Sequence, residues 1–110
     1  LMEVAVAADA RVVFFNSPGV YSGAFKDAQF SDPARIGAWN SMIAGFATTW
    51  PQIGIIDWAS ILAAAETADG GQPGSLRGDG IHMEASDMRR LMSDGVLPAL
   101  EQILGGSAAG

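Results

Sequence analysis

Two short apolar runs with a helical stretch between them constrain this chain more than any other feature. Val12-Val13-Phe14-Phe15 and Ile53-Gly54-Ile55-Ile56 are uninterrupted by polar residues. The first ends at the turn cluster Asn16-Ser17-Pro18-Gly19, and the second follows Pro51 and ends on Asp57. A run with no polar face reads as a strand covered on both sides, which is the habit of parallel sheets. Between the runs, Ile36, Trp39, Ile43, Phe46, Ala47 and Trp50 recur at spacings of three and four. That pattern predicts an amphipathic helix of about 17 residues. Asp32-Pro33 provides its N-cap and first helical position, and Pro51 ends it. Strand, helix, strand in this order is a βαβ unit, because two parallel strands need a crossover rather than a hairpin.

The flanking segments extend the same reading. Leu1 to Asp9 has strong helix formers and no N-cap, so it reads as the last turns of a helix. Residues 17–32 show no period and read as a long loop. Ala59 to Thr67 predicts a short alanine-rich helix, followed by the glycine-rich loop Asp69 to Ser75. A last helix starts near Glu84 or Ser86 and carries Met88, Leu91, Met92, Leu97, Leu100, Ile103 and Leu104, with Gly95 and Pro98 marking a kink. Residues 105–110, Gly-Gly-Ser-Ala-Ala-Gly, read as a flexible tail after a body spanning 1–104. The expected class is α/β: a parallel sheet flanked by helices, with about two strands and three to four helices. Two strands alone leave open edges and faces that need cover. The expectation is therefore the carboxyl-terminal half of a larger α/β domain.

Composition excludes several functions. Twelve acids against six Lys and Arg give a net charge of −6, which rules out a basic nucleic-acid face. There is no cysteine, hence no disulfide scaffold, thiolate nucleophile or thiolate metal site. A single histidine excludes paired-histidine zinc motifs, and neither metal nor cofactor is expected.

That histidine, His82, lies in Arg77-Gly78-Asp79-Gly80-Ile81-His82, just before the last helix. Asp79 precedes it by three. On a glycine-rich turn this spacing brings a carboxylate to the imidazole Nδ1 and leaves Nε2 outward as a general base. Gly78 and Gly80 would allow the tight backbone, and Ile81 would anchor it. The bland alternative is a helix cap followed by a surface histidine. A loop joined to a parallel sheet favours the chemical reading. Asp79, His82 and Glu84 make a poor metal site without a second histidine. Arg77-Gly78-Asp79 spells the integrin-binding tripeptide and reads as coincidence. Asn16 and Ser17 follow a strand's carboxyl end and are candidate substrate contacts, as is Trp58. Trp39 and Trp50 read as packing residues. Asp57 either orients a loop or caps the next helix. Ser17 and Ser60 lack the Gly-x-Ser-x-Gly elbow and read as loop and cap residues.

Asp79-Gly80-Ile81-His82 before a final helix resembles the last block of the SGNH (GDSL-like) hydrolases. Val12 to Asn16, Trp39-Asn40 and Ile55-Ile56-Asp57-Trp58-Ala59 are similar to the SGNH domains of bacterial esterases and of O-acyltransferases linked to acyltransferase-3 membrane proteins. The resemblance covers residues 5–104. It implies a flavodoxin-like three-layer fold and a Ser-His-Asp mechanism, with His82 as base and Asp79 as its orienting acid. The family's serine, in a Gly-Asp-Ser block, and its oxyanion-hole Gly and Asn have no counterpart here. After the histidine the family often has Thr or Asn, Pro and Gly, where this chain has Met83 to Asp87. The implied partners are a small-molecule or carbohydrate ester and the amino-terminal half of the same domain, with a membrane reached through a fused domain. The implied location is outside a bacterial cytoplasm. The rival reading is a non-catalytic α/β interaction module.

Overall fold

The structure, a computed structural model, describes residues 1–19 and 31–106. Its centre is a parallel pair, β1 (Val12–Phe15) and β2 (Ile53–Ile56), in the register Val12 to Ile53 through Phe15 to Ile56. The ladder continues one residue past each strand: Val12 N–H donates to Gln52 O at 3.0 Å and Asn16 N–H to Ile56 O at 3.2 Å. Both strand carboxyl ends therefore reach the same edge. The crossover is α2 (Pro33–Thr49), whose Asp32 side chain caps Ala34 N–H at 2.9 Å. The bounds of β1 and α2 are those the periodicity predicts. Most of the segment read as a long loop, residues 20–30, lies outside the described residues.

Alternation assigns the sheet faces, since successive strand side chains point to opposite sides. Phe14 meets Trp39 of α2 edge to face, with ring centroids 6.5 Å apart, so α2 covers the face of Val12, Phe14, Ile53 and Ile55. The opposite face carries Gly54 and receives Ile103 of α5 (Leu97–Gly106). The same side holds α3 (Trp58–Thr67), which packs against α4 (Ala85–Leu91) and the turn that follows it. The buried apolar residues are Ala5, Ile43, Ile53, Ile56, Leu62, Leu91 and Val96. They come from α1, α2, β2, α3, α4 and the turn after α4, whereas β1 is only half-buried.

The last helix bends where the sequence places a kink. Pro98 has no N–H to return to the carbonyl four residues back. The turn before it, Met92–Val96, widens into a π turn, and Leu97 N–H reaches back to Met92 O. This turn also brings Gly95 against α3: a Cβ there would lie 2.6 Å from Ile61 Cγ2. With α4, the π turn and α5 forming one bent rod, the described residues hold four helical units besides a single 3-10 turn at Ala68–Gly70, α1 (Met2–Ala7) being the first. α1 ends in a Schellman closure: Ala10 N–H bonds Ala5 O at 2.8 Å, Asp9 N–H bonds Val6 O at 3.1 Å, and Asp9 has φ 52°. α5 runs to Gly106, so Gly105 and Gly106 are helical rather than tail.

The α2 stripe is half covered. Ile43 is buried and Ile36, Ala47 and Trp50 are half-buried, but Trp39, Met42 and Phe46 stay exposed. The cause is width. Neighbouring strands stand about 4.8 Å apart, so two of them offer too narrow a floor for a helix with side chains about 10 Å across. Among the described residues no helix is long and apolar enough to cross a membrane.

The Gly54–Ile103 approach makes a stability prediction. Gly54→Ala should cost about 1–3 kcal/mol through overpacking. That cost should shrink in an Ile103→Ala background, read as coupling in a double-mutant urea-denaturation cycle.

Candidate active site

Three consecutive tight turns carry the chain from α3 to the histidine. Ser75 N–H bonds Gln72 O at 3.0 Å, Arg77 N–H bonds Gly74 O at 2.9 Å, and Gly80 N–H bonds Arg77 O at 2.8 Å. Gly74 and Gly80 take φ of 86° and 87°, a region that side-chain-bearing residues avoid. Gly78 does not, and a Cβ on it would meet nothing within 4 Å. Of the two glycines beside Asp79, Gly80 is the one the backbone requires. Gly80 is buried and Ile81 half-buried, so the turn is seated on its apolar side.

The last turn holds Asp79 in a defined pose. Its Oδ1 accepts Ile81 N–H at 2.8 Å and His82 N–H at 2.7 Å, and its Oδ2 meets His82 Nδ1 at 2.6 Å. The His82 side-chain bond and the two backbone bonds hold the Asp79 carboxyl well below the ordinary carboxylate range. An ionised carboxylate only accepts, so Nδ1 carries the hydrogen and Nε2 of the neutral ring keeps its lone pair. His82 is 80% exposed and Asp79 55%. No serine hydroxyl among the described residues bonds His82: Ser60 donates to Asp57 Oδ2 at 2.7 Å and Ser17 to Pro18 O at 3.2 Å.

A second polar cluster lies at the carboxyl edge of the sheet. Asn16 donates from Nδ2 to Asp57 Oδ1 at 2.8 Å and accepts Ala59 N–H on Oδ1 at 2.9 Å. Asp57 caps α3 by accepting Ser60 N–H at 3.1 Å. The bond from Asn16, then those from Ser60, lower the Asp57 pKa. Ser17 exchanges two backbone bonds with the Asn40 side chain, at 2.7 and 3.0 Å. The sequence candidates Asn16 and Ser17 are thus brought together with Asp57 and Asn40. Trp58, half-buried, opens α3 beside them. No hydrogen bond among the described residues joins this cluster to Asp79 and His82.

Sequence reasoning missed the buried pair of the region. Arg77 faces Glu66 side-on, Nη2 to Oε1 at 2.7 Å and Nε to Oε2 at 3.2 Å, with both residues buried. Its Nη1 donates to Gly19 O at 2.6 Å. The tripeptide Arg77-Gly78-Asp79 therefore does not present its arginine to a partner. A charged residue on the inner face of α3 would have been the signal, had the helix phase been known. No group of three His, Asp or Glu among the described residues converges as a metal site. Compared with protein-family models, with curated proteins and with solved structures, the chain matches none.

Two measurements test this geometry. Gly80→Ala should cost about 1–2 kcal/mol and speed amide exchange at Ile81 and His82, while Gly78→Ala should stay within about 0.5 kcal/mol of the parent. In carbon-detected NMR titrations, Asp57 and Asp79 should protonate below the usual carboxylate midpoint of about 3.9. Their bonds then favour folding at neutral pH, and that favour disappears as pH falls through the lowered pKa values. His82→Ala should move the Asp79 midpoint back upward, short of the usual value, because two amide donors remain.

Proposed function

We propose that this chain is the carboxyl-terminal part of an SGNH-type serine esterase or O-acyltransferase and contributes its Asp-x-x-His dyad. The observation that carries this reading is the 2.6 Å contact of Asp79 Oδ2 with His82 Nδ1. It orients the ring so that Nε2, to which no described residue bonds, stands accessible. That arrangement is the acid–base half of a serine acyl-transfer site. Two further features support it. The dyad turn lies on the connection between α3 and α4 rather than on a loop leaving the sheet, and Arg77 ties it to the chain that leaves β1. The exposed Trp39, Met42 and Phe46 on α2 and the two-stranded sheet fit a domain completed by further strands.

The chemistry follows from the residues. A serine supplied from outside this segment attacks the ester carbonyl, and Nε2 of His82 takes the hydroxyl proton as the C–O bond forms. Asp79 stabilises the imidazolium through Nδ1. The tetrahedral adduct collapses, the ester C–O bond breaks, and His82 returns the proton to the departing alcohol. Water, or a sugar hydroxyl in the transferase case, then loses its proton to Nε2 and attacks the acyl-serine. The serine leaves with that proton.

The test is turnover of a short aryl ester by the complete protein that carries this segment. His82→Ala should lower kcat roughly 10²–10⁴-fold, and Asp79→Asn should lower it as well. Turnover untouched by His82→Ala would remove the esterase reading and leave an interaction module.

A further inference from the structure

We propose that the buried Glu66–Arg77 ion pair is the positioning device of the Asp79–His82 dyad, locking the turn that carries the dyad to α3 and to the chain leaving β1. This inference rests on the reading of that dyad as the acid–base pair.

The link is short and continuous. Arg77 is the first residue of the turn Arg77-Gly78-Asp79-Gly80, and its carbonyl accepts Gly80 N–H at 2.8 Å. Asp79 sits within that turn and takes the two amides and the imidazole of the next residues. Whatever fixes Arg77 therefore fixes the origin of the dyad. Arg77 is fixed from two directions. Its Nε and Nη2 grip both oxygens of Glu66 on α3, and its Nη1 holds Gly19 O, beyond β1. Ser75 adds a third tie, donating from Oγ to the Glu66 carbonyl at 2.9 Å. The loop meets the end of α3 and the segment after β1 at one guanidinium.

Chemistry explains why this is an ion pair rather than an apolar contact. Two charges at 2% and 6% exposure gain little over a well-packed hydrophobic pair, because both were desolvated. They do gain direction. A planar guanidinium against a carboxylate permits one side-on arrangement, whereas apolar side chains slide. An exposed dyad on a loop benefits from that direction more than from added stability. Displacing an acid–base group by about 1 Å costs roughly a hundredfold in rate.

The experiment separates positioning from folding. In this chain, the double variant Glu66→Leu/Arg77→Met replaces the pair by apolar residues of similar length. It should stay folded, with a melting temperature near the parent's. The Ile81 and His82 amides should lose their protection from exchange, and the His82 Nδ1–H resonance should lose its downfield position. Arg77→Lys, which keeps the charge but not the fork, should show the same losses in milder form. In the complete enzyme both variants should lower kcat, by up to roughly a hundredfold, with KM little changed. A folded variant with parental Ile81, His82 and Nδ1 signals overturns the proposal. So does global unfolding of both variants, which would make the pair a general stabiliser. Failure of the esterase reading is seen separately, as turnover indifferent to His82→Ala, and leaves the exchange and resonance outcomes to be judged on their own.

Discussion

The parallel pairing of β1 with β2 is the constraint from which the other elements take their places. Parallel neighbours require a crossover, and α2 is that crossover. Strands without a polar face require cover on both sides, so α2 lies on one face and α5 on the other. Pairing in parallel also brings two carboxyl ends to one edge. Asn16 leaves β1 there and Asp57 leaves β2, and they bond at 2.8 Å. The start of α3 is thereby tied to the end of β1, and α3 in turn carries Glu66 to Arg77.

How much of this was legible in the sequence follows from the distance over which each feature is determined. β1, α2 and the Asp32 cap are set by residues within a few positions of one another, and they lie where the pattern places them. The Asp79–His82 contact spans three residues and depends on turn chemistry that the glycines advertise. Even there, only Gly80 has the positive φ, because which of two glycines bears it is decided by how the turn seats on the core. Glu66 and Arg77 lie eleven apart, across a loop, and no local rule aims one at the other. The Asn16–Asp57 bond spans 41 residues and exists because of strand register. The π turn stands between. Pro98 and Gly95 announce an irregularity, but its form is settled by the packing of Gly95 on Ile61.

Exposure decides what holds the dyad. With His82 at 80% and Asp79 at 55%, water competes for both partners, and the bond between them is weakened accordingly. The Nδ1–Oδ2 bond then aims the imidazole only as firmly as the carboxylate itself is held. The other carboxylate oxygen is engaged by two backbone amides, which are fixed by the chain rather than by a rotamer. Aim therefore comes from the backbone of the turn, and the turn takes its own position from Gly80 and Arg77. On the proposed reading, the same logic says what the rest of the domain must add. Bringing a serine to Nε2 would also shed water from the ring, and in that drier setting the Asp79 carboxylate would stabilise an imidazolium far more strongly than it does at the open surface. On that reading the turn holds geometry in place while exposed, and its electrostatic strength waits on being covered.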